Sequence, residues 1–285
     1  TLTDARAAVL AIRSMSKKPI LVSFTCDESG KILSGTDVVA ALSVMEGMGV
    51  SAFGLNCSAG PEQMLPQLQR LHKYARVPLI AKPNAGMPEI VNGEAVYNCP
   101  PEEFVALVPE MLKAGVALFG GCCGTTPDFI KLLNGVFADC KPGRPAHAMP
   151  SVLCSPMDFV TVDGITVVGE RINPTGKKRF QQALREGDMN YILEQAVSQS
   201  EAGAQVLDVN VGAPGVDEPA VMEQVVKALQ SVVSLPLQLD SSHADALERG
   251  LRVYNGKPIV NSVNGETEVL ERVLPLCKKY GAAVV

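Results

Sequence analysis

Short apolar segments alternate with longer amphipathic segments along most of the chain, and this alternation restricts the fold more than any other feature. In the first half, apolar segments predict strands over 19–26, 51–57 and 116–121, and a strand followed by a loop over 77–86. Segments with apolar residues at helical spacing follow them over 35–49, 61–75, 101–115 and 126–139. Strands that are apolar throughout and separated by helices are typical of a parallel sheet covered by helices.

The alternation stops at a proline-rich segment and then resumes. Residues 141–158 have no periodicity and predict a linker between a first domain (1–140) and a second domain (159–285). Residues 159–170 predict a hairpin that turns at Asp163-Gly164. Strands are then predicted over 204–210, 236–242, 257–265 and 282–285, with helices between them.

Each half contains about four βα units, which is half the ring of a (β/α)8 barrel. The sequence therefore predicts an α/β protein made of two consecutive TIM-type barrels, each represented by about half of its strands. We expect the chain to be a segment of a longer protein. A pair of small open α/β domains is the alternative.

Charge and hydropathy exclude several classes of function. The net charge is −5, and no cluster of Lys and Arg offers a nucleic-acid surface. No apolar run is long enough to cross a membrane, and the first residues lack the pattern of a signal peptide. We therefore expect a cytoplasmic protein, in which the eight cysteines are ligands, nucleophiles or core residues rather than disulfides.

Three cysteines follow predicted strands of the first half. Cys57 ends GLNC, and Cys122 and Cys123 lie in GGCCGT. Because the carboxyl ends of barrel strands form one face, these distant thiols can meet there. Three thiolates suit a tetrahedral zinc ion with one open position, where a substrate thiol is ionised. The alternatives are that these are ordinary core cysteines, or that Cys26, which also ends a strand, is a ligand.

The motifs GLNCS, IAKPNAG and FGGCCGTTP, in this order, resemble the homocysteine-binding zinc barrel of the homocysteine S-methyltransferase family. The resemblance covers about residues 1–140 and the C-terminal half of that barrel. It implies that Cys57, Cys122 and Cys123 bind zinc and that homocysteine is the substrate.

Polar side chains end four successive strands of the second half. They are Glu170, Arg171 and Asn173 at the first strand, Asp208 and Asn210 at the second, Asp240 at the third and Asn261 at the fourth. Carboxylates and amides on one face can pair with the donors and acceptors at the edge of a pterin ring. Alternatively, Asp and Asn end strands only because they favour turns. The three histidines, His72, His147 and His243, fall in helix or linker segments and are interpreted as surface residues.

The motifs GERINPTG, DVNVG, LDSS and VNS resemble the pterin-binding barrel of the methyltetrahydrofolate methyltransferases and, more distantly, of dihydropteroate synthase. The resemblance covers about residues 159–285. It implies that Asp240 and Asn261 contact the pterin as catalytic residues, with Asn261 near the methylated nitrogen. Asp208 and Asn210 would form the pocket wall.

The same resemblance assigns the first strand end of this half to folate binding. Glu170 and Asn173 lie at the mouth, and the loop of Gly176, Lys177 and Lys178 would touch the folate. Family members often carry a small residue at the position of Lys177.

A zinc barrel followed by a pterin barrel resembles the N-terminal part of the cobalamin-dependent methionine synthases. This resemblance implies methyl transfer from 5-methyltetrahydrofolate through cobalamin to zinc-bound homocysteine, giving methionine and tetrahydrofolate. A domain or protein outside this chain would bind the cobalamin as methylcobalamin. The alternatives are a methyltetrahydrofolate:corrinoid protein methyltransferase, a homocysteine S-methyltransferase with another donor, a dihydropteroate-synthase-like enzyme and a non-catalytic zinc scaffold.

Overall fold

The computed structural model describes residues 1–137 and 149–285, which form two compact units. Within these residues the first unit takes residues 1, 15–46, 50–137 and 149, and the second takes residues 2–14, 47–49 and 150–285. The chain passes between the units inside the predicted linker 141–158. The predicted domain bounds themselves stay a prediction, and Cys140 and His147 lie outside the described residues.

The first 137 residues contain six helices and six strands. In chain order they are α1 (Leu2–Met15), β1 (Leu21–Phe24), α2 (Val38–Gly47), β2 (Ala52–Asn56), α3 (Pro61–His72), β3 (Leu79–Lys82), β4 (Pro88–Val91), β5 (Glu94–Tyr97), α4 (Pro101–Ala106), α5 (Val108–Lys113), β6 (Val116–Phe119) and α6 (Pro127–Phe137).

A parallel sheet in the order β1-β2-β3-β6 forms the centre of the first unit. Helices cover one face of it, and Phe53 and Leu55 of β2 are buried there with 0% and 1% of their surface exposed. Helix α2 is buried along most of its length because its residues are almost all apolar or small. Since all four strands run the same way, their carboxyl ends meet at one edge of the sheet.

Two features of the first unit differ from the sequence-based expectation. Strands β4 and β5 form an antiparallel hairpin that was not predicted, with Asn92 and Gly93 at φ 54° and 85° in its turn. Positive φ at both central residues is the geometry of a tight hairpin turn. The helix predicted over 101–115 is divided in two at Leu107, because the ring of Pro109 cannot follow the turn before it without a clash.

Residues 149–285 contain a hairpin and a second βα series. In chain order the elements are β7 (Ser151–Cys154), β8 (Phe159–Val162), β9 (Val168–Ile172), α7 (Lys178–Glu186), α8 (Met189–Glu201), β10 (Val206–Val209), α9 (Glu218–Val232), β11 (Leu237–Asp240), α10 (Ala244–Val253), β12 (Ile259–Asn261), α11 (Thr267–Tyr280) and β13 (Ala283–Val284).

The second unit is built on a parallel sheet in the order β13-β12-β11-β10-β9. Strand β10 lies between β11 and β9 and is fully buried, as its Val, Leu and Val side chains require. Helices α8 and α9 begin at Asp188 and Asp217, whose carboxylates accept from backbone N–H groups of the first helical turn. Helix α1 also packs here, and its Arg6 donates to the carbonyl of Leu251 at 3.2 Å.

The predicted hairpin over 159–170 is wrong. Strand β8 pairs with β7 instead, and β9 joins the parallel sheet beside β10. The Ser155 hydroxyl accepts from the N–H groups of Met157 and Asp158 at 3.2 and 2.9 Å and closes the β7–β8 turn. Pairing with β7 places β8 beside a buried strand. The predicted hairpin would have turned at Asp163-Gly164, which is exposed to solvent.

The predicted α/β class is confirmed, with two parallel βα series whose strands neighbour one another in chain order. Neither sheet closes on itself within the described residues. No helix in this part of the chain is both long enough and apolar enough to span a membrane.

Candidate functional site

The three cysteines at the strand ends of the first unit lie together. The sulfur of Cys123 is 3.7 Å from that of Cys57 and 4.0 Å from that of Cys122, and all three lie within 4.8 Å of one another. Zinc–sulfur bonds of about 2.3 Å at tetrahedral angles place sulfurs about 3.8 Å apart. The chemistry and spacing of this donor set therefore fit a single zinc ion.

The loop after β3 joins the two chain segments that carry these thiols. The N–H of Cys57 donates to the carbonyl of Lys82 at 3.0 Å, and the N–H of Cys122 donates to that of Pro83 at 2.9 Å. Two further bonds, from Ala85 to the carbonyl of Cys123 and from Asn84 to that of Ala59, are each 2.9 Å long. Backbone hydrogen bonds thus fix both thiol loops to the strand that lies between them.

Asn84 is a functional candidate that the sequence analysis did not single out. Its side chain is 2% exposed, and its Oδ1 accepts from the N–H of Cys123 at 3.1 Å. It also hydrogen-bonds to the Cys57 side chain. The motif IAKPNAG was recognised, but only the fold shows that its asparagine reaches both thiol loops.

The two resolved thiol pKa values of the cluster move in opposite directions. The backbone N–H of Ser58 is the largest influence on Cys57 and lowers its pKa, while burial is the largest influence on Cys122 and raises its pKa. Cys57 and Ser58 also have φ of 60° and 53°, a left-handed backbone that non-glycine residues rarely adopt outside functional sites. The hydrogen bond from Ser58 makes Cys57 the more readily ionised thiol of the two.

The other cysteines do not join this cluster. Cys26, the alternative ligand, is not among the grouped thiols, and burial raises its pKa to about 11. Cys99 packs against a small cluster that contains Phe104 and Phe129, and Cys154 and Cys277 are buried.

The polar strand ends of the second unit also meet. The amide of Asn210 donates to Asp240 Oδ2 at 2.9 Å, and its Oδ1 accepts from the N–H of Gly212 at 3.0 Å. Asp240 lies opposite Asn261 in the register of β11 and β12. Because both ends of the Asn210 amide are occupied, Asn210 orients Asp240.

Asp208 is a buried carboxyl in this group, with 3% of its surface exposed. Burial is the main cause that raises its pKa to about 6, although Gln238 donates to it at 2.6 Å. Sequence reasoning missed Gln238. The sequence could have indicated Gln238, because a residue two positions before Asp240 lies on the same face of β11.

The first strand end is arranged differently from the other three. The ammonium of Lys177 lies 3.1 Å from Glu170 Oε2 and donates to the Glu170 carbonyl at 2.9 Å. Asn173 is buried and accepts from the N–H of Thr175 at 2.9 Å, so it stabilises its own turn. Gly176, at φ 70°, leads into α7, where Lys178 is exposed. Arg171 is also exposed at this end.

Two histidines lie in the described residues. His243 is exposed, 3.8 Å from Glu218, and His72 is half-buried at the end of α3. Neither lies in the cluster of potential metal ligands.

Comparison with known proteins separates the chain into the same two parts. Residues 1–137 match the family described as homocysteine S-methyltransferase, and residues 169–285 match the family described as pterin binding enzyme. The homocysteine methyltransferase MmuM of Escherichia coli, in its apo form, is similar over 47% of this chain and 45% of its own, with 26% identity and a TM-score of 0.40.

Two mycobacterial relatives are similar over the whole of this chain. The methionine synthases of Mycobacterium leprae and Mycobacterium tuberculosis are each 35% identical to it. The chain spans 25% of the length of each of these proteins.

Proposed function

We propose that this chain is part of a methionine synthase and that its two units serve one methyl transfer, from 5-methyltetrahydrofolate to homocysteine. The products would be methionine and tetrahydrofolate. The first unit would bind homocysteine, and the second would bind the folate. The predicted domains 1–140 and 159–285 are part of this proposal, as is a reducing, cytoplasmic compartment that keeps the thiols free.

The convergence of three thiols is the observation that carries the proposal. Cys57, Cys122 and Cys123 would hold zinc and leave a fourth corner for the homocysteine sulfur, because the cluster among the described residues contains three potential ligands. When bound, zinc supplies Lewis acidity, which keeps a coordinated thiol ionised at neutral pH. Asn84 and the β3 loop would hold the three sulfurs at tetrahedral spacing.

The strand ends of the second unit support folate binding. Asn210 donates to one oxygen of Asp240, which leaves Oδ1 able to accept from the pterin N–H edge. Asn261, beside Asp240 in the sheet, would lie near the methylated nitrogen and hydrogen-bond the proton that this nitrogen gains. Asp208 and Asn210 would form the wall, with Glu170, Asn173 and the loop of Gly176, Lys177 and Lys178 at the mouth.

The link between the two sites would be a corrinoid. Cobalamin, bound by a domain or protein outside this chain, would supply the chemistry that carries a methyl group from the folate site to the thiol site. Since the two described sites belong to different units, this proposal requires the carrier to visit each in turn.

X-ray absorption on the zinc-loaded chain, with and without homocysteine, tests the thiol half of the proposal. We expect three sulfur neighbours without homocysteine and four with it. A coordination shell that homocysteine leaves unchanged would indicate a structural zinc scaffold. Equilibrium titration with 5-methyltetrahydrofolate tests the other half, and absence of saturable binding would contradict it.

A further inference from the structure

Lys82 is a cation at the carboxyl edge of the first sheet. Neither the family comparison nor the motif assigns a role to this lysine. The residues that end the four strands or follow them directly are 24–26, 56–58, 82–84 and 119–123, and Lys82 is the one cation among them. No described carboxylate lies within ion-pair distance of it. The nearby cations Lys31 and Arg70 instead both pair with Asp37, at 3.9 and 2.7 Å.

The position of Lys82 in the sheet sets it between the thiols. It ends β3, which lies between β2, the strand before Cys57, and β6, the strand before Cys122. Adjacent strands are about 4.8 Å apart, so the Lys82 backbone is within one strand spacing of both strands. Its carbonyl accepts directly from the N–H of Cys57 at 3.0 Å.

The side chain of Lys82 packs beside the residue that follows the next strand. Its Cγ lies 3.3 Å from where a Cβ on Gly120 would be, two residues before Cys122. Lys82 is also opposite Asn56 in the sheet register, and it is half-buried. The aliphatic stem of Lys82 is therefore packed against the segment that leads into the cysteine pair.

We propose that the Lys82 ammonium binds the carboxylate of the amino-acid substrate whose thiol enters the metal site. This inference rests on the proposed function and adds a residue that determines specificity for an amino-acid thiol over a simple thiol. When the sulfur of an amino-acid thiol occupies the fourth metal position, a short carbon chain separates that sulfur from the carboxylate. The carboxylate is then within reach of a lysine whose backbone is one strand spacing from the ligands. A charge-assisted hydrogen bond at this point gives both orientation and selectivity.

Substitution of Lys82 in the Co²⁺-loaded full chain tests the inference without measuring turnover. Sulfur-to-cobalt charge-transfer absorption reports thiol binding, and two probes are compared: homocysteine and 3-aminopropane-1-thiol, which has the same amine and thiol but no carboxylate. In Lys82→Met we expect homocysteine affinity to fall about 10- to 100-fold and aminopropanethiol affinity to stay within about twofold. Lys82→Arg should retain most of the preference for homocysteine.

Lys73→Met is the matched control, since Lys73 is an exposed lysine of the same unit at the end of α3; it should behave as the unsubstituted chain. Three results for Lys82→Met would each overturn the inference: an equal loss of affinity for both thiols, a weaker affinity for Co²⁺, or an unchanged preference for homocysteine. Failure of any thiol to add a charge-transfer band in the unsubstituted chain would instead contradict the proposed function, so the two failures are distinguishable.

Discussion

In each unit, an asparagine side chain holds a site residue in place through its hydrogen bonds. Asn84 bonds to both thiol loops, and Asn210 uses both ends of its amide between Gly212 and Asp240. Such supporting residues have no recognisable sequence spacing relative to the groups they orient. Sequence reasoning therefore identified Cys57 and Asp240, and it identified Asn210 only because Asn210 itself ends a strand. It did not identify Asn84 as the residue that supports the thiols.

The metal site depends on Cys57 and not on Cys26. Cys57→Ser should lower zinc affinity about 100-fold or more, because a thiolate contributes a large share of the 10–16 kcal/mol typical of zinc sites. Competition with a chromophoric chelator measures this. Cys26→Ser is the control and should bind zinc normally, since Cys26 lies outside the thiol cluster. Equal losses in the two variants would contradict the assigned ligand set.

The buried carboxyl of Asp208 should make stability depend on pH. Its folded pKa of about 6 lies above the ordinary 3.8, so its stabilising contribution is full below pH 4 and is lost as pH rises through 6. Burial is the main cause; Asp240 and Glu170 add to the shift, while Gln238 and Lys177 oppose it.

Asp208→Asn removes this titration while keeping the side-chain shape. Relative to the unsubstituted chain, the variant should gain about 2–3 kcal/mol in free energy of unfolding between pH 4 and pH 7. Urea denaturation at several pH values measures the difference between the two proteins. A difference that does not vary with pH would show that Asp208 titrates normally.

At the level of elements, the sequence predicted the strands of the two parallel sheets but missed the two hairpins. Strand β7 lies in the predicted linker although Val152, Leu153 and Cys154 are buried. The βα series follows from apolar periodicity, because only a covered parallel sheet buries such segments. The β4–β5 hairpin is exposed, and Ile90 has 72% of its surface in solvent, so no burial pattern marks it. Its Asn92-Gly93 turn was the available signal. Strand β8 pairs with β7, whose Cys154 also bridges to Lys257 far along the chain, and such a distant contact is not visible in local sequence.

Tyr97, at the end of β5, anchors this hairpin next to the thiols. A Cβ at Gly124, the residue after Cys123, would lie 2.5 Å from the Tyr97 ring. Gly124→Ala should therefore displace Tyr97 and the Cys122–Cys123 loop, costing about 1–3 kcal/mol beyond the strain of a positive φ. Zinc affinity should fall as well.

Gly93→Ala is the matched control for Gly124→Ala. Gly93 has φ 85°, close to the 79° of Gly124, but a Cβ there meets no atom within 4 Å. It should cost only the left-handed backbone penalty of about 1–2 kcal/mol and leave zinc affinity unchanged. Chemical denaturation of both variants measures the contrast, and equal costs would refute the steric argument.

For the whole molecule, the described sites are each built from the residues of one unit, so they should fail independently. Cys122→Ser should abolish tight zinc binding and leave 5-methyltetrahydrofolate affinity unchanged. Asp240→Asn should weaken folate binding about 10- to 100-fold and leave zinc affinity unchanged. Isothermal titration with each ligand measures both, and a variant that loses both ligands would argue against separate sites.

The backbone bonds from the β3 loop to both cysteine segments have a consequence for metal toxicity. They fix the three sulfurs to one strand, and a donor set made only of thiolates favours metals with a high affinity for sulfur. Cadmium and mercury, which prefer sulfur even more strongly, should displace zinc under exposure.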